Sequence, residues 1–117
     1  MLSLPSTVRI FLYRTPTDLR YSFDRLMGLA QQVFEQDPLS GHLFLFVNRR
    51  RDRIKILFWD HDGLAIFYKR LEVGCFQLPS CTGDDQGLEL DYSQLAMLLG
   101  GIDLASARRR KRYRRAG

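Results

Sequence analysis

The sequence predicts an α+β fold: an antiparallel β-meander sheet packed by two helices, followed by a disordered basic C-terminal tail. Three observations predict it. Apolar residues at helical spacing fill the stretch 19–34. Three strand-like runs follow in quick succession, 42–48, 53–59 and 64–70, separated by turn-forming residues. The stretch 108–115, RRRKRYRR, then holds seven cations with no apolar periodicity.

Taken in order, residues 8–13 (VRIFLY) read as a short opening strand rich in strand formers. Pro16 breaks the chain, and the Thr17 hydroxyl is placed to cap a helix. Leu19, Phe23, Leu26, Met27, Ala30, Val33 and Phe34 form one helical stripe, which Asp37-Pro38 closes. The three strands come next, with loops at 49–52 and 60–63. Asp62-Gly63 is a tight-turn pair, because the favoured hairpin turn needs positive φ at both central positions. Residues 73–90 are irregular, with Pro79, Gly83 and Gly87, and a short strand at 88–90. Asp91 then caps a second helix carrying Leu95, Leu98, Leu99 and Ile102, which Gly100-Gly101 ends or kinks.

A chain of 117 residues and 13.7 kDa is one domain's worth of protein, so residues 1–107 are expected to form a single domain and 108–117 a flexible tail. Apolar residues at 45% and charged ones at 26% are ordinary for a globular fold. The net charge of +5 is unevenly placed: the tail holds seven of the 18 cations, leaving 11 against all 13 acids elsewhere. A near-neutral body with a cationic end points to a polyanionic partner. The opening MLSLPSTVRIFLYR interrupts its apolar residues with Pro5, Arg9 and Arg14, so no signal-peptide core is expected. No apolar run nears the ~20 residues of a membrane span, and no membrane partner is expected.

Strand alternation assigns faces. With Asp62-Gly63 as a two-residue loop, Trp59 pairs with Ile66, Leu57 with Tyr68 and Lys55 with Arg70 on one face. With 49–52 as a four-residue loop, Phe44 and Phe46 join that face, while Leu43, Leu45, Val47, Ile54, Ile56, Phe58 and Phe67 take the other. The aliphatic face suits the first helix's stripe. The opposite face gathers Phe44, Phe46, Trp59 and Tyr68 among Arg53, Lys55 and Arg70. An open face of that kind serves as a stacking platform for single-stranded nucleic acid or a docking face for a protein. The other reading makes the aromatics a second core layer under the C-terminal helix.

Catalytic patterns are missing. Asp60, His61 and Asp62 sit at a turn, and a metal-dependent nuclease would need Asp84, Asp85 or Glu89 to join them. Cys75 and Cys81 stand in no metal-ligand or redox spacing and read as reduced thiols. No nucleophile elbow or phosphate-binding glycine loop is present, and nothing calls for a metal or cofactor. Cations carry the usable signal. Arg49, Arg50, Arg51 and Arg53 cluster at a hairpin tip, Lys55, Lys69 and Arg70 lie on the strands, and Arg108, Arg109, Arg110, Lys111, Arg112, Arg114 and Arg115 form the tail. These are the expected nucleic-acid contacts, and phosphate contacts position without specifying sequence.

The stretch DPLSGHLFLFVNRRRDRIKILFWDHDGLAIFYKRLEVGCF at 37–76 closely resembles the TnpB accessory proteins of the insertion sequence 66 family of bacterial transposable elements. That family is separate from the RNA-guided nucleases sharing the name. VRIFLYRTPTDLRYSFDRL at 8–26 and LDYSQLAMLLGGIDL at 90–104 extend the likeness over nearly the whole chain. Cys75 departs from the Gly-Arg-Phe triplet common there. The resemblance implies a non-catalytic factor for DNA transposition, acting beside a larger transposase that holds the strand-transfer site. It marks Asp18, Arg20, Gly41, Arg49, Arg50, Lys55, Trp59, Gly63, Lys69, Arg70, Leu71 and Glu72 as important. The partners it implies are DNA at element ends or transposition intermediates and the larger transposase subunit, with self-association left open. The alternative is a module that docks on the transposase without reading DNA. The expected location is the bacterial cytoplasm, at the nucleoid when bound to DNA.

Overall fold

In the computed structural model, which describes residues 7–79 and 86–100, five strands form one sheet with a helix on each face. In chain order the elements are β1 (Ile10–Tyr13), α1 (Phe23–Phe34), β2 (Leu43–Val47), β3 (Arg53–Asp60), β4 (Gly63–Arg70), β5 (Gly87–Leu90) and α2 (Tyr92–Gly100). The strand order is β4-β3-β2-β1-β5. The meander β2-β3-β4 is antiparallel, as its turns predict, but the sheet as a whole is mixed. β1 runs parallel to β2, with Ile10 opposite Leu43 and Tyr13 opposite Phe46, and antiparallel to β5. Parallel neighbours need a crossover connection, and α1 supplies it. The short motif 8–13 carries no turn signal that could have fixed its partner.

Loop 49–52 sets the β2–β3 register as expected, with Phe44 opposite Leu57 and Phe46 opposite Lys55. The β3–β4 turn falls one residue earlier than Asp62-Gly63. Asp60 pairs with Gly63, so His61 and Asp62 form the loop, and His61 takes the left-handed conformation at φ 55°. Trp59 therefore faces Leu64, Lys55 faces Tyr68 and Arg53 faces Arg70. Each partner moves by two positions along β4, which preserves the side-chain alternation and leaves every residue on its assigned face.

Which helix covers which face is the reverse of the expectation. α1 lies on the aromatic face, where Leu26 and Ala30 pack with Phe11, Phe44, Phe46 and Leu57. α2 covers the aliphatic face, where Leu95 and Leu98 meet Leu12, Leu43, Leu45, Ile54 and Ile56. An apolar helical stripe fits either surface; the hand of the β1-α1-β2 crossover decides between them. Phe76, from the stretch read as irregular, is fully buried in the aliphatic layer.

The first helix also starts later than its stripe suggests. Thr17 is not its cap: its N–H donates to the Val47 carbonyl (2.9 Å) and its hydroxyl to the Thr15 carbonyl (3.3 Å). Ser22 is the N-cap, Leu19 is buried ahead of the helix, and Glu35 ends it in the left-handed region at φ 52°. Asp91 does cap α2. Its carboxylate accepts from the Gln94 N–H (2.8 Å) while the Gln94 side chain accepts from the Asp91 N–H (2.9 Å), a reciprocal capping box. Asp91→Ala is expected to lower stability by about 1 kcal/mol, read as a lower urea midpoint with an unchanged slope.

Candidate nucleic-acid interface

The hairpin tip is built by one asparagine. The Asn48 carbonyl accepts from Arg51 N–H (3.0 Å), closing a turn. Its side-chain oxygen accepts from the N–H groups of Asp52 (3.1 Å) and Arg53 (3.0 Å), and its amide nitrogen donates to the Asp52 carboxylate (2.7 Å). Arg51 completes the loop at φ 58°, a left-handed residue. The segment after β4 straps the loop from outside: Leu71 N–H donates to Asp52 O (2.7 Å) and Phe76 N–H to Arg51 O. Arg49, Arg50, Arg51 and Arg53 all project from this braced loop as exposed side chains.

Facing the tip is the loop between β1 and α1. The Thr17–Val47 hydrogen bond holds it to the end of β2, and Lys55 Nζ donates to the Tyr21 carbonyl (2.8 Å) from beneath. Between the two loops lies a cleft of about 690 Å³, walled by Tyr13, Tyr21, Tyr68, Arg49, Arg50 and Arg53. Arg20 and Asp18 stand at it as a pair, Arg20 Nη2 to Asp18 Oδ2 being 2.7 Å. The Arg20 side-chain hydrogen bonds, with its backbone N–H, hold the Asp18 carboxyl down to about 2. Asp18 therefore stays ionised and paired at neutral pH. Among the described residues the cleft has four arginines against this one carboxylate. Arg53 and Arg70 face each other across β3 and β4, an arrangement of like charges that costs stability unless anions compensate it. Glu72 compensates one of them, its carboxylate 2.7 Å from Arg70 Nη2, and Arg53 Nη1 lies 3.4 Å from the Tyr68 hydroxyl.

The remaining sequence-derived residues separate by role. Phe44 and Phe46 are fully buried under α1, so neither is part of an open platform. They form the second core layer, under the first helix rather than the C-terminal one. Trp59 is half-buried opposite Leu64, while Tyr68 is 48% exposed and lines the cleft. Lys55 is buried, its ammonium 4.9 Å over the Tyr68 ring. Lys69 lies on the opposite face, its Nζ 3.3 Å from the Leu99 carbonyl near the end of α2, where a cation meets the helix dipole. Asp18 belongs to the loop before α1 rather than to its first turn, and Gly63 is a strand residue. The tail cations from Arg108 to Arg115 lie outside the described residues, as do Asp84, Asp85 and Cys81. Asp60 and Asp62 are at the β3–β4 turn, whereas Glu89 is on the far edge strand, bound to Arg9 at 2.6 Å. Among the described residues no three His, Cys, Asp or Glu side chains gather where they could hold a metal ion. No helix among them is long and apolar enough to cross a membrane.

Tyr13 and Tyr21 are wall residues that the sequence pattern did not single out. Tyr13 reaches the cleft because β1 lies beside β2, the pairing that strand alternation alone does not reveal. The sequence matches the IS66 Orf2 like protein family over residues 8–109. The chain belongs to that family. The chain is also similar to two proteins of Sinorhizobium fredii: the uncharacterized protein y4hO is 36% identical over 103 residues, covering 88% of each chain. The uncharacterized protein y4jC is 29% identical over 103 residues, 88% of this chain and 86% of its own. No solved structure matches. Membership in the IS66 Orf2-like family carries an accessory role in transposition.

Proposed function

We propose that this IS66 Orf2-like protein is a non-enzymatic accessory factor that binds DNA through the loop at 49–53 and the adjoining cleft. The supporting observation is the gathering of Arg20, Arg49, Arg50 and Arg53 with three tyrosines around one braced concavity. Arginine forks suit phosphate oxygens, and a pre-braced loop loses little freedom on binding. Lys55 and Lys69 support the fold in this reading, and Arg70, tied to Glu72, flanks the contact surface. The tail's seven cations add sequence-independent attraction by releasing counterions. The alternative, docking on a larger transposase through the aromatic sheet face, loses most of that face to α1.

Salt-dependent DNA binding tests the reading. Each phosphate contact on duplex DNA adds roughly 0.9 to the log–log salt slope, so with a duplex probe Arg49→Ala with Arg50→Ala is expected to reduce its magnitude by roughly 1.8. At 0.1 M salt the same arithmetic predicts roughly 60-fold weaker binding. An unchanged slope in the double variant would mean that the tail alone holds DNA, and the folded domain would then serve protein docking.

A further inference from the structure

We infer that the cleft between the β1–α1 loop and the hairpin tip receives an unpaired nucleotide, so that the ligand is single-stranded or locally opened DNA. This rests on the DNA-binding reading and adds which form of DNA is bound and by what contacts. The shape makes the argument. A duplex is a convex rod with its bases stacked inside; against this surface it would touch the arginines of the rim and leave the tyrosine walls unused. A volume of about 690 Å³ is within the ~300–1,000 Å³ range of small-molecule sites, and one nucleotide fits it.

The chemistry of the walls matches a base on one side and a phosphate on the other. Tyr68 has 48% of its surface open. Its ring is held in place by the Lys55 ammonium at 4.9 Å and its hydroxyl by Arg53 Nη1 at 3.4 Å. Tyr13 is fixed edge-on against Phe46, with ring centroids 6.1 Å apart, and Tyr21 carries the Arg25 guanidinium over its ring at 4.5 Å. Rings oriented this way are ready to stack without first being ordered. Arg49, Arg50 and Arg53 stand beside them at phosphate-binding positions. The Asn48 amide, the obvious reader of a base edge, is already spent on Asp52 and Arg53. Recognition should therefore rest on π-faces and phosphates and be tolerant of sequence.

The test is fluorescence anisotropy of the full chain with three labelled probes: a single strand, its blunt duplex, and the same single strand with abasic sites that keep every phosphate. The single strand is expected to bind more tightly than the duplex. Removing bases should weaken it by about tenfold, within what one base–ring stack contributes, while the salt slope stays the same. Tyr68→Ala should reproduce that loss on the intact strand and have little effect on the abasic one; Tyr68→Phe should restore binding. Equal affinity for intact and abasic strands overturns the inference without relying on any variant's folding. So does a Tyr68→Ala loss that is the same on both. If duplex and single strand bind alike and only Arg49→Ala with Arg50→Ala weakens them, DNA binding stands and the nucleotide site falls. If no probe binds, both fall together.

Discussion

Phe44→Ala is expected to lower the stability of the protein by about 3–5 kcal/mol, the range for truncating a fully buried aromatic residue. Phe44 is at the centre of the sheet, with β1 and β3 on either side of β2 and α1 above. Its ring stacks on Phe11 at a centroid distance of 5.6 Å and tilts against Phe34 at 5.8 Å, and those two are 5.2 Å apart. The methyl left behind would touch neither ring, and three packed aromatics cannot close around the void without moving α1. For a domain whose total stability is about 5–15 kcal/mol, such a loss approaches unfolding. Urea denaturation reads it as a large fall in midpoint. Tyr68→Ala is the comparison: half exposed but carrying the Lys55 ammonium on its ring, it should move the midpoint less, by about 1–2 kcal/mol. The opposite result, a stable Phe44→Ala that fails only in DNA binding, would return Phe44 to a stacking platform.

That contrast shows what was legible in the sequence and what was not. Alternation by twos placed Phe44, Phe46, Lys55 and Tyr68 on one face of the meander, and it survived a turn displaced by one residue, because the partner shift was even. Alternation says nothing about what covers a face. Coverage follows from where β1 joins the sheet and how α1 crosses it, which are long-range choices. The same gap hid Tyr13, which comes to the cleft only through its pairing with Phe46. Asp91 was readable because capping is local, resting on a residue three positions away. Thr17 was misleading for the related reason that a short hydroxyl near a helix start has several local partners, and here the β2 end won its backbone. Phe76 was hidden by its glycine- and proline-flanked setting. Its role as a core residue depends on the strap over the hairpin tip, which no periodicity announces. The cationic tip itself was plain in the sequence, since four arginines in five residues cannot be buried together.

Lys55→Glu is expected to cost about 3–5 kcal/mol, the penalty of leaving a buried charge without its partner. The lysine is buried, its Nζ on the Tyr21 carbonyl and over the Tyr68 ring. A carboxylate there would face a carbonyl oxygen and the negative face of an aromatic ring, both of which repel it. DNA binding would fall along with the folded fraction, and that loss by itself would be easily mistaken for a missing phosphate contact. Lys55→Met separates the two. Methionine keeps most of the apolar stem but no donor, leaving the Tyr21 carbonyl unpaired at a cost of about 1–3 kcal/mol. If Lys55 holds the cleft wall and not a phosphate, Lys55→Met lowers the unfolding midpoint, weakens single-strand binding through a displaced Tyr21 loop, and leaves the salt slope where it was. A single-strand salt slope reduced by roughly 0.7 with stability intact would instead make Lys55 a phosphate ligand. The slope decides because it counts phosphate contacts, which a displaced tyrosine does not supply.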